Sequence, residues 1–273
     1  MTVFTNHTTD NEGYLKTLDV DGTNILTKWG IEFSDSEKQF IHGQKAGANH
    51  HVESSKIEKN RTRTTLMVDL KRSRIRLEID EHFSPDKIER KFMITPLEDT
   101  NLIDIAISQA FIRETFTHAK INGNIIGFDG MERNHQFESK KAILVGKSFD
   151  LEVELKVQAN NSGLAPVVYC RTGKRFGWSI HTRLFPKEIT KKVIIWCNKH
   201  WNRSIPLSNF FSSIRPVVDY LWYVGERPDR VERRTFGFAS FGMAHAPKNE
   251  TIVLTQCLTL VQKNSSMNKN DDP

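Results

Sequence analysis

The amino-acid sequence predicts a mainly β protein, a large antiparallel β-sandwich. Three observations carry that prediction. Apolar and charged residues alternate with a period of two in several long runs, as in strands with one dry and one wet face. Residue pairs with the chemistry of tight hairpin turns separate some of those runs. The chain also carries 17 Phe and 5 Trp, large apolar groups that suit the space between two sheets.

Taken in chain order, Tyr14 to Val20 and Ile25 to Trp29 flank Asp21-Gly22 and predict a first hairpin. Residues 34–60 are polar, with Gly43, Gly47, His50 and His51 and no sustained apolar period, and read as a long loop. From Arg74 the alternation is clear: Ile75, Leu77 and Ile79 face one way, Arg76, Glu78 and Asp80 the other. Arg90 to Ile94 is a further strand, and Leu102 to Ile112 follows it, where clustered isoleucines favour a pleated surface over a helix. Asn122-Gly123 between β-branched residues marks another hairpin, and Phe149 to Val157 alternates regularly up to a turn at Asn160 to Gly163. Val167 to Cys170, Phe176 to Phe185 and Val193 to Trp196 read as strands. Phe210, Phe211, Ile214, Val217, Val218 and Leu221 recur at near-helical spacing, which predicts one short helix over 208–224, kinked at Pro216. A last strand places Ile252, Leu254, Leu258 and Leu260 on one face. No linker or repeat divides the chain, so a single domain over 1–262 is expected, with 263–273 a disordered tail.

Composition narrows the classes of function. A formal charge of +6 on 273 residues is milder than a dedicated nucleic-acid binder carries, and points at most to an anionic ligand. No run approaches the length of a membrane span, and the first residues show no basic leader or apolar core of a secretory signal. Cys170, Cys197 and Cys257 are few, far apart and set in strand-like runs, which suggests buried free thiols and a cytoplasmic protein. Dinucleotide, phosphate-loop and nucleophile-elbow motifs are missing from the sequence, so no cofactor is expected. His50, His51 and Glu53 could contact a metal only if adjacent side chains of an extended chain converged, so no metal is expected either.

Cations and aromatic rings concentrate between Tyr169 and Trp201. On a strand, Trp178, Ile180, Thr182 and Leu184 share one face, and Ser179, His181, Arg183 and Phe185 the other. His181 beside Arg183 suits a neutral imidazole in acid/base or hydrogen-bonding chemistry. Arg171 and Arg183 offer planar forks to an anionic or carbonyl oxygen, and Tyr169, Trp178, Tyr220 and Trp222 offer flat surfaces to a ring-shaped substrate. Asp219 and Glu226 lie among aromatics that could raise a carboxyl pKa. The plainer alternatives are a basic outer strand face, a core Trp and a helix with its charges in water.

The succession of strands from about 64 to 262 and the segment Asn134-His135-Gln136-Phe137 resemble galactose-mutarotase-like proteins. In aldose mutarotases an Asn-His-x-Tyr-Phe segment carries the catalytic histidine. The resemblance implies a β-supersandwich and a catalytic part for His135, although the Tyr is replaced here and the family's paired Glu has no evident counterpart.

The expected function is acid/base catalysis without metal or nucleotide, of the isomerase, epimerase, lyase or cyclase type. Its substrate would be carbohydrate-like or ring-shaped, and possible anionic character would engage the arginines. The alternative is a non-catalytic protein that binds a glycan or acidic ligand on the same groove.

Overall fold

A computed structural model describes residues 2–35 except 11 and 13, 49–131 except 71 and 72, 133–158, 163–174, 177–188, 190–200, 221–227, 230–236 and 244–263. The strands run in chain order as β1 (Phe4–Thr9), β2 (Leu15–Val20), β3 (Thr23–Asn24), β4 (Leu26–Asp35), β5 (Asn49–Glu58), β6 (Arg61–Asp69), β7 (Arg74–Phe83), β8 (Lys87–Pro96), β9 (Thr100–Phe111) and β10 (Phe116–Ile121). They continue as β11 (Asn124–Gly127), β12 (Arg133–Glu138), β13 (Lys141–Gly146), β14 (Phe149–Val157), β15 (Leu164–Gly173), β16 (Gly177–Pro186), β17 (Leu221–Arg227), β18 (Arg230–Phe236), β19 (Ala244–Ala246) and β20 (Ile252–Gln262). Among the described residues one α-helix, α1 (Thr190–His200), lies between β16 and β17.

A nine-stranded sheet in the order β11-β10-β13-β14-β20-β8-β7-β6-β5 faces a six-stranded sheet in the order β12-β15-β16-β9-β19, to which β4 adds by pairing with β9. Among the described residues all the pairings are antiparallel, as expected of the predicted sandwich. Between the sheets lies one continuous apolar core that includes Ile75, Leu77, Phe92, Leu151, Leu254 and Leu258 from the larger sheet and Ile31, Ile105, Ile107, Trp178 and Ile180 from the smaller. Burying these side chains is the main source of stability. The layers are tied by a stack of Trp29 on Phe92 and by a buried polar bridge, in which Gln109 Nε2 donates to Gln256 Oε1 at 2.5 Å and Gln256 Nε2 donates to Thr182 Oγ1 at 3.1 Å.

The turn chemistry behaves as expected. Asp21 and Asn122 both have φ of 48°, with Gly22 at 81° and Gly123 at 76°, the left-handed geometry that a two-residue hairpin loop needs. The first hairpin is short, however. Only Asp19 and Val20 pair across to β3, after which the chain leaves for β9 of the six-stranded sheet as β4.

Three expectations are corrected. Residues 34–35 and 49–58, assigned to a loop, are strand ends and an edge strand; 36–48 lie outside the described residues. From His51 to Glu58 β5 is exposed on both faces, so no apolar period marks it, and its ladder to β6 makes it a strand. Val193 to Trp196, expected as strand, lies within α1. Three consecutive β-branched residues favour a strand locally, but after Pro186 ends β16 the chain turns, Thr190 Oγ1 donates to the Pro186 carbonyl, and the segment is helical, with Ile195 70% exposed. The predicted helix over 208–224 ends in strand, since 221–224 belong to β17; 208–220 lie outside the described residues, as do the turn residues 160–162 and the tail from 264. Among the described residues no helix is long and apolar enough to cross a membrane.

Candidate active site

The six-stranded sheet has a second face, turned away from the core, and it is polar. Register places its residues in rows across five strands. One row runs Gly30, Ser108, His181, Tyr169, Gln136; the next runs Glu32, Ala106, Arg183, Val167, Glu138. On the other side of His181, Ala110, Ser179, Arg171 and Asn134 are in register. The alternation that buries Ile31, Ile107, Ile180 and Val168 therefore gathers Glu32, Ser108, His181, Arg183, Tyr169, Arg171 and Asn134 on one surface. Gly30, Ala106 and Ala110 keep the β4 and β9 floor low beside the imidazole and the guanidinium.

The polar groups on this face are held in place. His181 Nε2 lies 3.1 Å from Ser108 Oγ and 3.0 Å from Ser179 Oγ, and its ring meets Tyr169 edge-on with centroids 4.9 Å apart. The Tyr169 hydroxyl donates to Asn134 Oδ1 at 2.5 Å. Arg183 is only 3% exposed, with its guanidinium 4.8 Å from the Phe185 ring centroid and 5.7 Å from that of Tyr169. A guanidinium against aromatic rings keeps its fork geometry while shedding water. Glu32 is 5% exposed and faces Arg183 across Ala106. Imidazole, carboxylate, guanidinium and phenol on one buried face can bind a polyhydroxylated ring and move protons at it.

The structure brings four of the expected site residues together: His181, Arg183, Tyr169 and Arg171. It places two others elsewhere. Trp178 is fully buried in the core, where its indole N–H donates to the Phe116 carbonyl at 3.1 Å, so it forms no wall of this surface. His135 pairs with Cys170, which pairs with Ile180, and so lies on the core-side face of the sheet, opposite to His181. It stacks on Phe137, and burial together with the nearby Arg133 holds its imidazole below the usual range. The Cys170 thiol beside it is pushed up to about 12 by burial and is chemically quiet. Trp222 and Glu226 lie on β17, which pairs with β18; Asp219 and Tyr220 lie outside the described residues. Among the described residues no group of three or more His, Cys, Asp or Glu side chains is placed to share a metal ion.

Glu32, Ser108 and Asn134 escaped the sequence reading. Glu32 had a signal, as the only charged residue in Trp29-Gly30-Ile31-Glu32-Phe33. Asn134 precedes the histidine of the motif that drew attention, and register puts the asparagine on the site face.

Comparison with solved structures places this architecture in a known class. The chain is similar to an Escherichia coli K12 protein described as a candidate aldose 1-epimerase, with a TM-score of 0.57 and 8% identity over 93% of this chain and 94% of that one. It is similar to a galactose mutarotase related enzyme from Lactobacillus acidophilus, with a TM-score of 0.54 and 10% identity over 97% and 99% of the two chains. A galactose mutarotase-like protein from Lactobacillus casei gives a TM-score of 0.52 and 9% identity over 94% and 99%. No protein-family model matches the sequence, and no curated protein does. The chain has the galactose-mutarotase-like fold, the supersandwich that the strand succession suggested.

Proposed function

We propose that this protein acts on a carbohydrate by side-chain acid/base chemistry of the isomerase or epimerase type, on the polar face of the six-stranded sheet. The observation that supports it is the convergence of His181, Glu32, Arg183, Arg171 and Tyr169 on one face. His181 and Glu32 are the titratable pair. Arg183 and Arg171 bind sugar oxygens, and Tyr169 packs against the ring. The fold's similarity to mutarotase-related proteins supports sugar as the ligand class.

The test follows the optical rotation of freshly dissolved α-D-galactose and α-D-glucose with the full chain. Relaxation should exceed that in buffer, and His181→Ala and Glu32→Gln should each lower it by about 100-fold or more. Wild-type protein that relaxes no tested aldose faster than buffer overturns the catalytic reading. The position of His135 on the far face supports a second reading, a sugar-binding protein without turnover. Galactose binding without accelerated relaxation would establish that one.

A further inference from the structure

Gln136 stands on β12 at the end of the row that carries His181, in register with Tyr169, which is in register with His181. Its backbone is fixed, since the N–H donates to Asn198 Oδ1 at 2.7 Å and the carbonyl accepts from Asn198 Nδ2 at 2.8 Å. The residue is buried, at 1% exposure. Among the described residues neither Oε1 nor Nε2 has a hydrogen-bond partner. The Tyr169 hydroxyl beside it donates to Asn134 instead. The other buried amides are each engaged: Gln109 and Gln256 bond one another across the core, and Asn134 accepts from Tyr169.

A buried amide without partners has given up water and gained nothing, so an apolar side chain of the same length would serve the fold better. Such a group on the polar face of a sheet marks a place where the partner comes from outside the chain. The amide holds two donor hydrogens on Nε2 and an acceptor at Oε1, side by side. A phosphate or carboxylate would meet only the donors. Two adjacent hydroxyls of a ring meet both, one accepting from Nε2 and its neighbour donating to Oε1. One strand, β15, separates β12 from β16, so Gln136 stands roughly 10 Å from the His181 strand and meets hydroxyls away from the reacting carbon.

We propose that Gln136 is a substrate-binding residue that takes two neighbouring, uncharged hydroxyls of the sugar and selects for sugars that carry both. The proposal rests on the reading of this face as a sugar site and names the part of the ligand that β12 recognises. Asn198, which clasps the Gln136 backbone, is the positioning residue.

Two measurements on the full chain test it. Without sugar, Gln136→Met should melt about 2–4 °C above wild type, because it removes two unmet buried groups at nearly constant volume. Calorimetric titration with D-galactose and its 2-, 3- and 4-deoxy analogues reads the recognition. Wild type should lose about 10-fold or more in affinity when the hydroxyl at carbon 3 or one particular neighbour of it is missing. Gln136→Met should bind D-galactose about 10-fold or more weaker and no longer distinguish those two analogues from the parent sugar. A wild type indifferent to the loss of neighbouring hydroxyls overturns the proposal, and that result needs no variant to fold. Gln136→Met melting below wild type also overturns it, since the amide is then satisfied within the free protein. Unchanged galactose affinity and unchanged deoxy losses in Gln136→Met remove Gln136 from the site while the sugar reading stands. Wild type that binds neither D-galactose nor D-glucose removes the sugar reading, and the proposal with it.

Discussion

Arg90 is an arginine inside a sandwich core. It is fully buried, with Nε 2.8 Å from Glu81 Oε2 and its guanidinium carbon 3.6 Å from the Trp29 ring centroid. Burial holds it below the usual guanidinium range, with Glu81 pulling the other way. The same carboxylate ties down β1: Thr9 Oγ1 donates to Glu81 Oε1 at 3.1 Å, and His7 Nε2 lies 3.6 Å from it, with the imidazole stacked 4.1 Å above Phe83. Burial lowers the His7 pKa, Arg90 adds to the lowering, and Glu81 opposes both. The native state therefore keeps His7 neutral where the unfolded chain already binds a proton. His7 contributes stability that is present above its unfolded value of about 6.5 and lost as pH falls toward the lower native value. Urea melts between pH 8 and 5 should show His7→Gln losing less stability on acidification than wild type. Parallel curves would refute the assignment.

At the scale of elements, the edge of the six-stranded sheet illustrates how a strand is finished. β12 pairs with β15 on one side, and on the other α1 supplies a side chain instead of a strand. Asn198 Nδ2 donates to the Gln136 carbonyl at 2.8 Å, and Asn198 Oδ1 accepts from the Gln136 N–H at 2.7 Å. An amide side chain thus copies the ladder pair that a further strand would make, and it blunts an edge that could otherwise recruit another chain. Asn198→Ala should cost about 1–2 kcal/mol, the net worth of two part-buried hydrogen bonds. Hydrogen exchange of the Gln136 amide should rise while the amides of β15 and β16 stay protected. Unchanged exchange at Gln136 would mean that the clasp contributes nothing. β5, at the far edge of the larger sheet, is finished differently, by a bulge between Val52 and Ser54 and by charged residues along its length.

At the scale of the molecule, the bridge from Gln109 through Gln256 to Thr182 crosses the core and pins one layer to the other. Its residues are buried among apolar neighbours, so its geometry selects one register of sheet on sheet. Gln256→Leu leaves both partners in the core without their bond and should lower stability by about 1–3 kcal/mol per stranded group. The triple variant Q109L/Q256L/T182V removes every member and should recover much of that loss in chemical denaturation. A triple variant less stable than the single one would show that the bridge holds more than its own bonds. The core face and the site face share the same strands, so the rigidity of the sandwich is also what fixes the rows containing His181 and Glu32.

Period-two patterning was enough to find β7, β8, β9, β14, β16 and β20, because on a half-buried strand every second side chain must be apolar whatever the strand packs against. Asp21-Gly22 and Asn122-Gly123 were legible for a similarly local reason, the steric tolerance of a left-handed turn. The same rule put His181 and Arg183 on one face and Trp178 on the other. It was silent on β5, exposed from His51 to Glu58, and misleading at Val193 to Trp196, where the chain is helical and meets the β12 edge with the side chain of Asn198 rather than with a strand. Strand order and register are absent from any local pattern. They depend on which residues meet across β4, β9, β16, β15 and β12, partners as far apart in the chain as Leu26 and Phe111, and a slip of one residue exchanges the two faces. The sequence by itself thus determined the strands, the turns and a face bearing His181. Only tertiary pairing added Glu32, Ser108 and Asn134 to that face and turned His135 to the other side.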